Sequence, residues 1–270
     1  MKTDITPEQA EAYRVNGFLV VEDFLSPAEV SELGDAVDEA VTLMGNRKVS
    51  SGPDWRDGDG YYERVFKQRL NLWMINQVVK RYMLAPELGK MLCTLANIDG
   101  IRVWHDQALI KGAFGNPTAW HIDNPYWSFF SKASLSIWIA LDDATRENGC
   151  LYFMPKSHEL ARFETVAIGE NMDGLFRVYP EMATRDPVAA PMKAGSASFH
   201  NGLTAHAAGA NMTPRPRRAM TCAYMPDGST FNGLRNILPE EYFQSLRPGD
   251  VLRNDAQNPL VFRDALRPSP

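Results

Sequence analysis

The sequence is short of cysteine, of long apolar runs and of excess charge of one sign. Its three cysteines, Cys93, Cys150 and Cys222, are odd in number and far apart, which excludes a disulfide framework and a zinc knuckle. We therefore expect buried free thiols in a reducing, cytoplasmic setting. The N-terminus lacks the apolar segment of a signal peptide, and no run approaches the roughly 18 apolar residues of a membrane helix. We expect no membrane partner.

The charge balance argues against polyanionic partners. The formal net charge is -5, so binding to nucleic acid or to an anionic surface is not expected. The basic cluster Arg215, Arg217 and Arg218 is too short to alter this expectation. Hydrophobic residues make up 44% of the chain, which is enough for a sizeable core. We predict a monomer or homodimer that acts on a small molecule.

Residues up to about 98 have the features of helices. The capping boxes Thr6-Pro7-Glu8-Gln9 and Ser26-Pro27-Ala28-Glu29 each place proline at the first helical position. Apolar residues of the second segment recur every three or four positions, as on the buried face of a helix. A further helical stretch is predicted at about 75–97, and a short strand at 18–21 between the first two helices.

From Ile101 the pattern changes to short apolar runs separated by turn residues. These runs predict strands at about 101–111, 133–142, 150–155, 195–200 and 218–225. We predict one domain over residues 1–270: a helical N-terminal part at about 1–98, a β core at about 100–226 and an irregular C-terminal segment at 227–270. The expected fold class is mainly β (α+β), with a jelly roll as the closed form of the core.

The segment Trp120-His121-Ile122-Asp123 carries the first chemical signal. Residues two apart in an extended strand point to the same face, so His121 and Asp123 can offer an imidazole nitrogen and a carboxylate oxygen to one cation. Such a pair is common by chance and needs a third ligand from elsewhere. Two histidines and one carboxylate form the facial triad that leaves half of an octahedral iron open. The available histidines downstream are His158, His200 and His206.

An ordered set of motifs runs from this segment to the end of the β region. His121-x-Asp123 is followed by Asn148-Gly149-Cys150, by Pro155-x-Ser157-His158, and by His206-x-x-Gly209-x-Asn211-x-Thr213 with a downstream arginine. This set resembles the phytanoyl-CoA dioxygenase family of iron(II)/2-oxoglutarate-dependent oxygenases. The resemblance covers most of the chain and is densest between residues 104 and 224.

The resemblance implies a double-stranded β-helix core with iron held by His121, Asp123 and His206. It also implies that Arg217, eleven residues after His206, binds the distal carboxylate of 2-oxoglutarate. Trp138 and Lys111 match positions beside this co-substrate. The implied reaction consumes O2, releases succinate and CO2 and hydroxylates an unactivated carbon, with desaturation, cyclisation or epimerisation as alternatives. Ascorbate is the expected reductant in vitro.

The sequence departs from the family pattern at two loops. Ala207-Ala208 stands where Gly-Ser is common, and Lys156 stands where a glycine is common before Ser157. Neither position supplies a ligand, so these departures concern loop structure. The carboxylate of Asp123 is retained, which argues against the halide-using relatives, since those have a small residue at this position.

Strand alternation favours Arg217 over Arg218 as the carboxylate anchor. If Arg217 begins an extended run, its face carries Ala219, Thr221 and Ala223, which leave room beside the iron for a dicarboxylate. The face of Arg218 carries bulkier residues that are typical of packing. A planar guanidinium also matches a carboxylate in bidentate fashion.

The remaining polar residues of the β region have structural alternatives. We predict that His105 is a core or supporting residue rather than a substrate contact. Gln107 lies on the same strand face and is predicted to reach the active site beside the co-substrate. We expect His158 to form a structural hydrogen bond, and His200, six residues before His206, to support the ligands or anchor a loop.

Substrate contacts are expected from three loops, at about 46–68, 112–131 and 159–192. Their aromatic residues suggest a small apolar or mixed-polarity substrate, without a demand for a coenzyme A thioester: Trp55, Tyr61, Tyr62, Tyr126, Trp127 and Phe130. Two other functions fit the same residues. One is a zinc hydrolase or isomerase on the same barrel, because zinc also accepts two histidines and a carboxylate. The other is a catalytically silent binding module.

Overall fold

A computed structural model describes residues 1–58, 61 and 64–264 of the chain. The α-helices within them are α1 (Pro7–Asn16), α2 (Pro27–Met44), α3 (Gln77–Met83), α4 (Pro86–Ala96), α5 (Gly174–Val178) and α6 (Glu240–Ser245). The strands are β1 (Phe18–Val21), β2 (Lys67–Leu70), β3 (Gly100–Lys111), β4 (Thr118–His121), β5 (Leu135–Ala140), β6 (Leu151–Phe153), β7 (Val188–Ala190), β8 (Ala197–Asn201), β9 (His206–Ala208), β10 (Arg217–Pro226) and β11 (Leu260–Arg263).

Both predicted capping boxes are present. The Thr6 hydroxyl accepts a hydrogen bond from the backbone of Gln9, and the Gln9 side chain accepts one from the backbone of Thr6. Ser26 and Glu29 form the same reciprocal pair at the start of α2. These contacts satisfy backbone N–H groups that a helix start otherwise leaves without partners.

The strands form two antiparallel sheets. The larger sheet has the order β1-β8-β5-β10-β3-β11. β2 belongs to the same sheet and also pairs with β3: β11 pairs with residues 100–102 of β3, and β2 pairs with residues 107–110. The smaller sheet has the order β4-β9-β6-β7. The cavity that contains the candidate site is lined by residues of both sheets. The expected class, a mainly β (α+β) fold, is confirmed, and the pairing is consistent with a jelly roll.

The helical N-terminal part covers the outer face of the larger sheet. Leu33 and Val37 of α2 and Leu88 of α4 are buried in one apolar cluster with Ile137 of β5 and Met220 of β10. Side chains alternate across a strand, so the opposite face of β5 and β10 is free to line the cavity. The helices therefore support the sheet from behind, and the site lies in front of it.

The structure differs from expectation in the segments predicted to be irregular. Residues 159–192 contain α5 and β7, and residues 227–270 contain α6 and β11. Each of these elements has three to six residues, too few for a hydrophobic period to be recognised. Tyr62 lies outside the described residues.

All three cysteines are free and buried, as the sequence predicted. Burial raises the pKa of the Cys93 thiol to about 12, and that of Cys150 is raised as well, so neither is a ready nucleophile. Within the described residues, no helix combines the length and hydropathy needed to cross a membrane.

Candidate metal centre and co-substrate pocket

Strand pairing brings His121 and His206 together. His121 ends β4, His206 begins β9, and the two residues are direct partners in the antiparallel register. Their imidazole rings lie 4.1 Å apart between centroids. Asp123 follows two residues after His121, and donor atoms of the three side chains all lie within 4.8 Å of one another. The structure thus collects two histidines and one carboxylate around one point.

Backbone carbonyls fix the orientation of both rings. Nδ1 of His121 lies 2.8 Å from the carbonyl oxygen of Ala119, and Nδ1 of His206 lies 3.0 Å from that of Thr204. A carbonyl can only accept, so each Nδ1 donates and each Nε2 has a free lone pair. Those Nε2 atoms lie 3.6 Å and 3.8 Å from Oδ1 of Asp123. The tautomers are the ones that metal ligation requires.

The Asp123 carboxylate is held by contacts at its second oxygen and at its backbone. Ser136 Oγ donates to Oδ2 over 3.3 Å, and Nε2 of His200 lies 3.5 Å from the same oxygen. The backbone N–H of Asp123 donates to the carbonyl of Gly202 over 2.9 Å. Oδ2 is therefore directed to the protein, and Oδ1 faces the two histidines.

Electrostatics leaves the trio in the protonation state that binds a cation. Burial lowers the pKa of both His121 and His206 to about 4, so the rings are neutral at pH 7. Burial alone raises the pKa of Asp123, but the surrounding imidazoles of His206, His200 and His121 outweigh it and hold that pKa well below its usual range. Two neutral imidazoles and one carboxylate match a divalent transition metal.

Arg217 supplies a buried cation in the same cavity. Its Nη2 donates to the carbonyl of Gly149 over 3.1 Å, and its guanidinium lies 5.0 Å from the ring centroid of Trp138. Nε and Nη1 are buried without a hydrogen-bond partner. Unsatisfied buried donors are costly, so these two indicate a ligand that accepts hydrogen bonds. A carboxylate accepts two parallel N–H donors of a guanidinium.

Lys111 places a second cation directly across from Arg217. The two residues are register partners on β3 and β10, and Lys111 is fully buried. The Lys111 ammonium donates to the carbonyl of Asn116 over 2.6 Å. Burial and the neighbouring Arg217 lower the pKa of Lys111 to about 7. Like charges opposite each other on paired strands repel, so this pair favours an anion beside it.

Arg218 points the other way, as the alternation of β10 predicted. Its side chain forms ion pairs with Asp142 over 2.8 Å and with Asp38 over 2.6 Å. The face of Arg218 continues into the apolar cluster behind the sheet through Met220, Cys222 and Tyr224. Arg217, Thr221 and Ala223 line the cavity instead. Arg218 is therefore committed to carboxylates outside the cavity.

The cavity has a volume of about 230 Å³ and collects most of the residues singled out in the sequence. Trp138, Gln107, His105 and His200 line it together with the metal trio. The side-chain amides of Gln107 and Gln68 are hydrogen-bonded to each other. His105 was predicted to be a core or supporting residue; it is buried, and it also forms part of the cavity wall.

The aromatic residues of the predicted substrate loops divide into two groups. Trp55, Tyr126 and Trp127 line the cavity. Tyr61 donates to the carbonyl of Pro117, and Phe130 packs against Phe163 in a tilted arrangement with ring centroids 4.8 Å apart. The aromatic wall after Asp123 therefore exists, but only part of the expected set contributes to it.

His158 lies outside this cavity. Its Nε2 is 3.0 Å from the carbonyl oxygen of Arg14, which ties the segment after β6 to the end of α1. This is the structural hydrogen bond that the sequence predicted for it.

A family comparison accounts for this arrangement. The family model described as phytanoyl-CoA dioxygenase (PhyH) matches residues 13–219. The chain belongs to this family. It is a non-haem iron(II)/2-oxoglutarate-dependent dioxygenase.

Relatives of this dioxygenase carry out varied chemistry. A methylphosphonate hydroxylase of Gimesia maris is 27% identical, over 92% of this chain and 88% of its own length. The structure of SnoK, a non-haem α-ketoglutarate-dependent carbocyclase from nogalamycin biosynthesis, superimposes with a TM-score of 0.78 at 27% identity, over 95% of this chain and 96% of that one. The structure of the epimerase SnoN in complex with Fe3+, α-ketoglutarate and nogalamycin RO superimposes with a TM-score of 0.73 at 28% identity. The match covers 94% of this chain and 97% of that one.

Several cavity residues of the dioxygenase were not found in the sequence. Phe66, Gln68 and Leu70 come from β2 and its entry, Ile168 comes from the 159–192 loop, and Asn236 and Ile237 come from the C-terminal segment. β2 has only four residues. Asn236 has a φ of 42°, a backbone conformation in which asparagine is enriched. That enrichment predicts turns in general, so it could not single out this residue.

Proposed function

We propose that His121, Asp123 and His206 are the iron ligands of this dioxygenase. The observation that supports this is the convergence of three donor atoms with the correct tautomers beside a cavity that also contains Arg217. The trio occupies one side of the metal position and leaves the cavity side for co-substrate and O2. The donor set therefore fits an iron(II) ion.

The residues around Arg217 fit 2-oxoglutarate. We assign the distal carboxylate to the guanidinium of Arg217, whose Nε and Nη1 are buried without a partner. Trp138 makes a cation–π contact with the guanidinium, and Lys111 adds positive charge from the opposite strand. Gln107, whose amide is oriented by Gln68, is the proposed contact for the remainder of the co-substrate.

Iron with 2-oxoglutarate and O2 supplies the oxidising chemistry, with succinate and CO2 as by-products. The protein binds and orients the reactants and excludes water from the cavity. Nδ1 of His121 and of His206 remain protonated throughout, because each donates to a fixed carbonyl. Trp127 and Tyr126 contribute aromatic rings to the cavity wall.

We propose hydroxylation of an unactivated carbon in a small organic molecule as the reaction. The similarity to structures of a carbocyclase and an epimerase favours ring formation or epimerisation as the second candidate. Product mass separates these outcomes. Hydroxylation adds one oxygen, ring formation removes two hydrogens, and epimerisation leaves the mass unchanged.

The domain organisation, cellular location and oligomeric state of the enzyme are also proposals. We propose a single domain in the cytoplasm, because the three cysteines are free and buried. We propose a monomer or homodimer, and ascorbate as the reductant that keeps iron ferrous in vitro.

The test of the ligand assignment compares Asp123→Ala and His206→Ala with His158→Ala. The control removes an imidazole that bonds the Arg14 carbonyl outside the cavity. We expect the first two variants to lose iron binding and iron-dependent succinate formation, and the control to retain both. Anaerobic addition of 2-oxoglutarate to the iron-loaded enzyme should also give a weak visible charge-transfer band. Wild-type turnover in either ligand variant would exclude the assignment.

A further inference from the structure

The cavity has a second end, which the iron and 2-oxoglutarate sites do not use. Arg217 and Ala223 are six residues apart on the same face of β10, a distance of ~20 Å along an extended strand. Ala223 is the register partner of His105. We call the region around this pair the distal end. We assign to it the cavity-lining residues Leu70, His105, Tyr126, Trp127, Asn236 and Ile237, of which Leu70, Trp127 and Ile237 share one buried apolar cluster with Ala223.

The distal end has no charged side chain among the described residues. Apart from the histidines, Asp123 and Arg217 are the charged residues that line the cavity within the described part of the chain. Asp123 is assigned to iron and Arg217 to the co-substrate. Burial lowers the pKa of His105 to about 4, so its ring is neutral at pH 7. A charged substrate group would enter this region without a counter-charge, at a large cost in desolvation.

The walls of the distal end are largely flat rings and apolar side chains. The Trp127 ring meets the His105 ring edge-on, with centroids 6.3 Å apart. The Tyr126 hydroxyl is already bonded to the carbonyl of Val166, so Tyr126 offers its ring rather than its polar group. Trp55 also lines the cavity and is 43% exposed, which places it where the cavity opens to solvent.

Two buried polar atoms in the distal end have no hydrogen-bond partner. They are Nδ1 of His105 and Oδ1 of Asn236, and both residues line the cavity. Buried polar atoms in native structures are nearly always paired, so an unpaired one beside a cavity indicates a ligand group. The positive φ of Asn236, 42°, further indicates a backbone held in an uncommon conformation at this position.

We propose that the substrate is an uncharged molecule with a flat aromatic or conjugated ring system, bearing polar groups that hydrogen-bond to His105 and Asn236. This inference rests on the proposed function, since it assigns Asp123 and Arg217 to iron and co-substrate. It excludes phosphates, phosphonates, coenzyme A thioesters and zwitterions as substrates. The ring system lies between Trp127 and Tyr126, and polar substituents fix its orientation relative to the iron.

The test uses three probes with one ring system and different charges. They are methyl 3-hydroxy-2-naphthoate, its free carboxylate, and the ammonium compound 6-(aminomethyl)-2-naphthol. Each is titrated calorimetrically into the anaerobic enzyme loaded with iron(II) and 2-oxoglutarate. We expect the neutral ester to bind at least 10-fold more tightly than either ion. Equal or tighter binding of an ion, or no binding of the ester, would overturn the proposal.

A charge placed at the distal end should reverse part of this preference. Asn236→Asp keeps the shape of the side chain and adds a carboxylate. We expect it to weaken binding of the ester and to strengthen binding of the ammonium probe about 10-fold. Gln244→Glu is the matched control, because it makes the same change on α6 outside the cavity. Equal responses of the two variants would contradict a specific role for Asn236.

The charge-transfer band separates failure of this inference from failure of the proposed function. If 2-oxoglutarate produces the band and the ester shows no preference, the iron and co-substrate sites stand and the substrate class is wrong. If the band does not form, the proposed function is wrong, and this inference is overturned with it.

Discussion

The imidazole of His200 lies beside one of the two carboxylate oxygens of Asp123 and leaves the other oxygen free. Nε2 of His200 lies 3.5 Å from Oδ2 of Asp123, whereas Oδ1 faces His121 and His206. Ser136 donates to the same Oδ2 atom. Because both supporting contacts are on Oδ2, Oδ1 is the carboxylate oxygen left facing the two histidines. His200 is thus a positioning residue for a proposed ligand.

Loss of His200 should weaken iron binding without removing it. Partners that orient a metal ligand are typically worth about 10–100-fold in metal affinity. We expect His200→Ala to raise the dissociation constant for iron(II) by such a factor, as measured by anaerobic titration. Ser136→Ala, which removes the hydroxyl donor to the same oxygen, should also weaken iron binding. Unchanged iron affinity in both variants would exclude the positioning role.

Arg217 and Arg218 provide a matched pair for the co-substrate site. Arg217→Ala removes a charge-assisted hydrogen-bond donor from the cavity, so the KM for 2-oxoglutarate should rise about 10–100-fold. Arg218→Ala removes the ion pairs with Asp142 and Asp38 and should leave that KM near its wild-type value. Steady-state succinate formation measures both. A larger rise in the Arg218 variant would reverse the assignment.

The affinity for 2-oxoglutarate should fall as the pH rises above about 7. Lys111 has a pKa of about 7 because of burial and the nearby Arg217. A bound dianion favours the ammonium form, so binding is coupled to proton uptake above this pH and weakens as protons become scarce. Arg217, with its pKa lowered to about 10, stays charged at neutral pH.

Lys111→Met is the control for this pH dependence. It removes the titrating group while keeping an unbranched side chain. We expect weaker 2-oxoglutarate binding at pH 6 that no longer declines between roughly pH 7 and pH 9. The same pH profile in wild type and variant would assign the proton to another group.

Lys156 should be a site where glycine stabilises the fold. Its φ is 62°, a left-handed conformation that costs a residue with a Cβ about 1–2 kcal/mol. The greater freedom of glycine in the unfolded chain offsets part of the gain. We expect Lys156→Gly to raise the free energy of unfolding by about 1 kcal/mol in chemical denaturation. Lys156→Ala, which keeps the Cβ, should bring no such gain.

The parts of the fold that were predictable are those specified by neighbouring residues. The Thr6 and Ser26 capping boxes lie within four consecutive positions each, and both formed as expected. The alternation along β10 is equally local, and it predicted the opposite directions of the Arg217 and Arg218 side chains. The family resemblance added the positions of His206 and Trp138, which no local pattern could supply.

The unpredicted parts depend on contacts between distant segments. β11 gains its hydrogen bonds only by pairing with β3, about 160 positions earlier in the chain. Asn236 reaches the cavity because the C-terminal segment folds back over it, although nothing in its own sequence marks it as a binding residue. His105 was placed on the correct face of β3, but the cavity beside it arises from other strands.

Because Lys111 of β3 and Arg217 of β10 are paired cations, we expect binding of the co-substrate to stabilise the folded enzyme. Lys111 and Arg217 repel each other across the strand pair, and a dicarboxylate bound at the proposed co-substrate site would relieve that repulsion. A ligand present at about 100 times its dissociation constant adds about 2.7 kcal/mol to the free energy of unfolding. In a cell, resistance of this enzyme to proteolysis should therefore rise and fall with the supply of a central carbon metabolite.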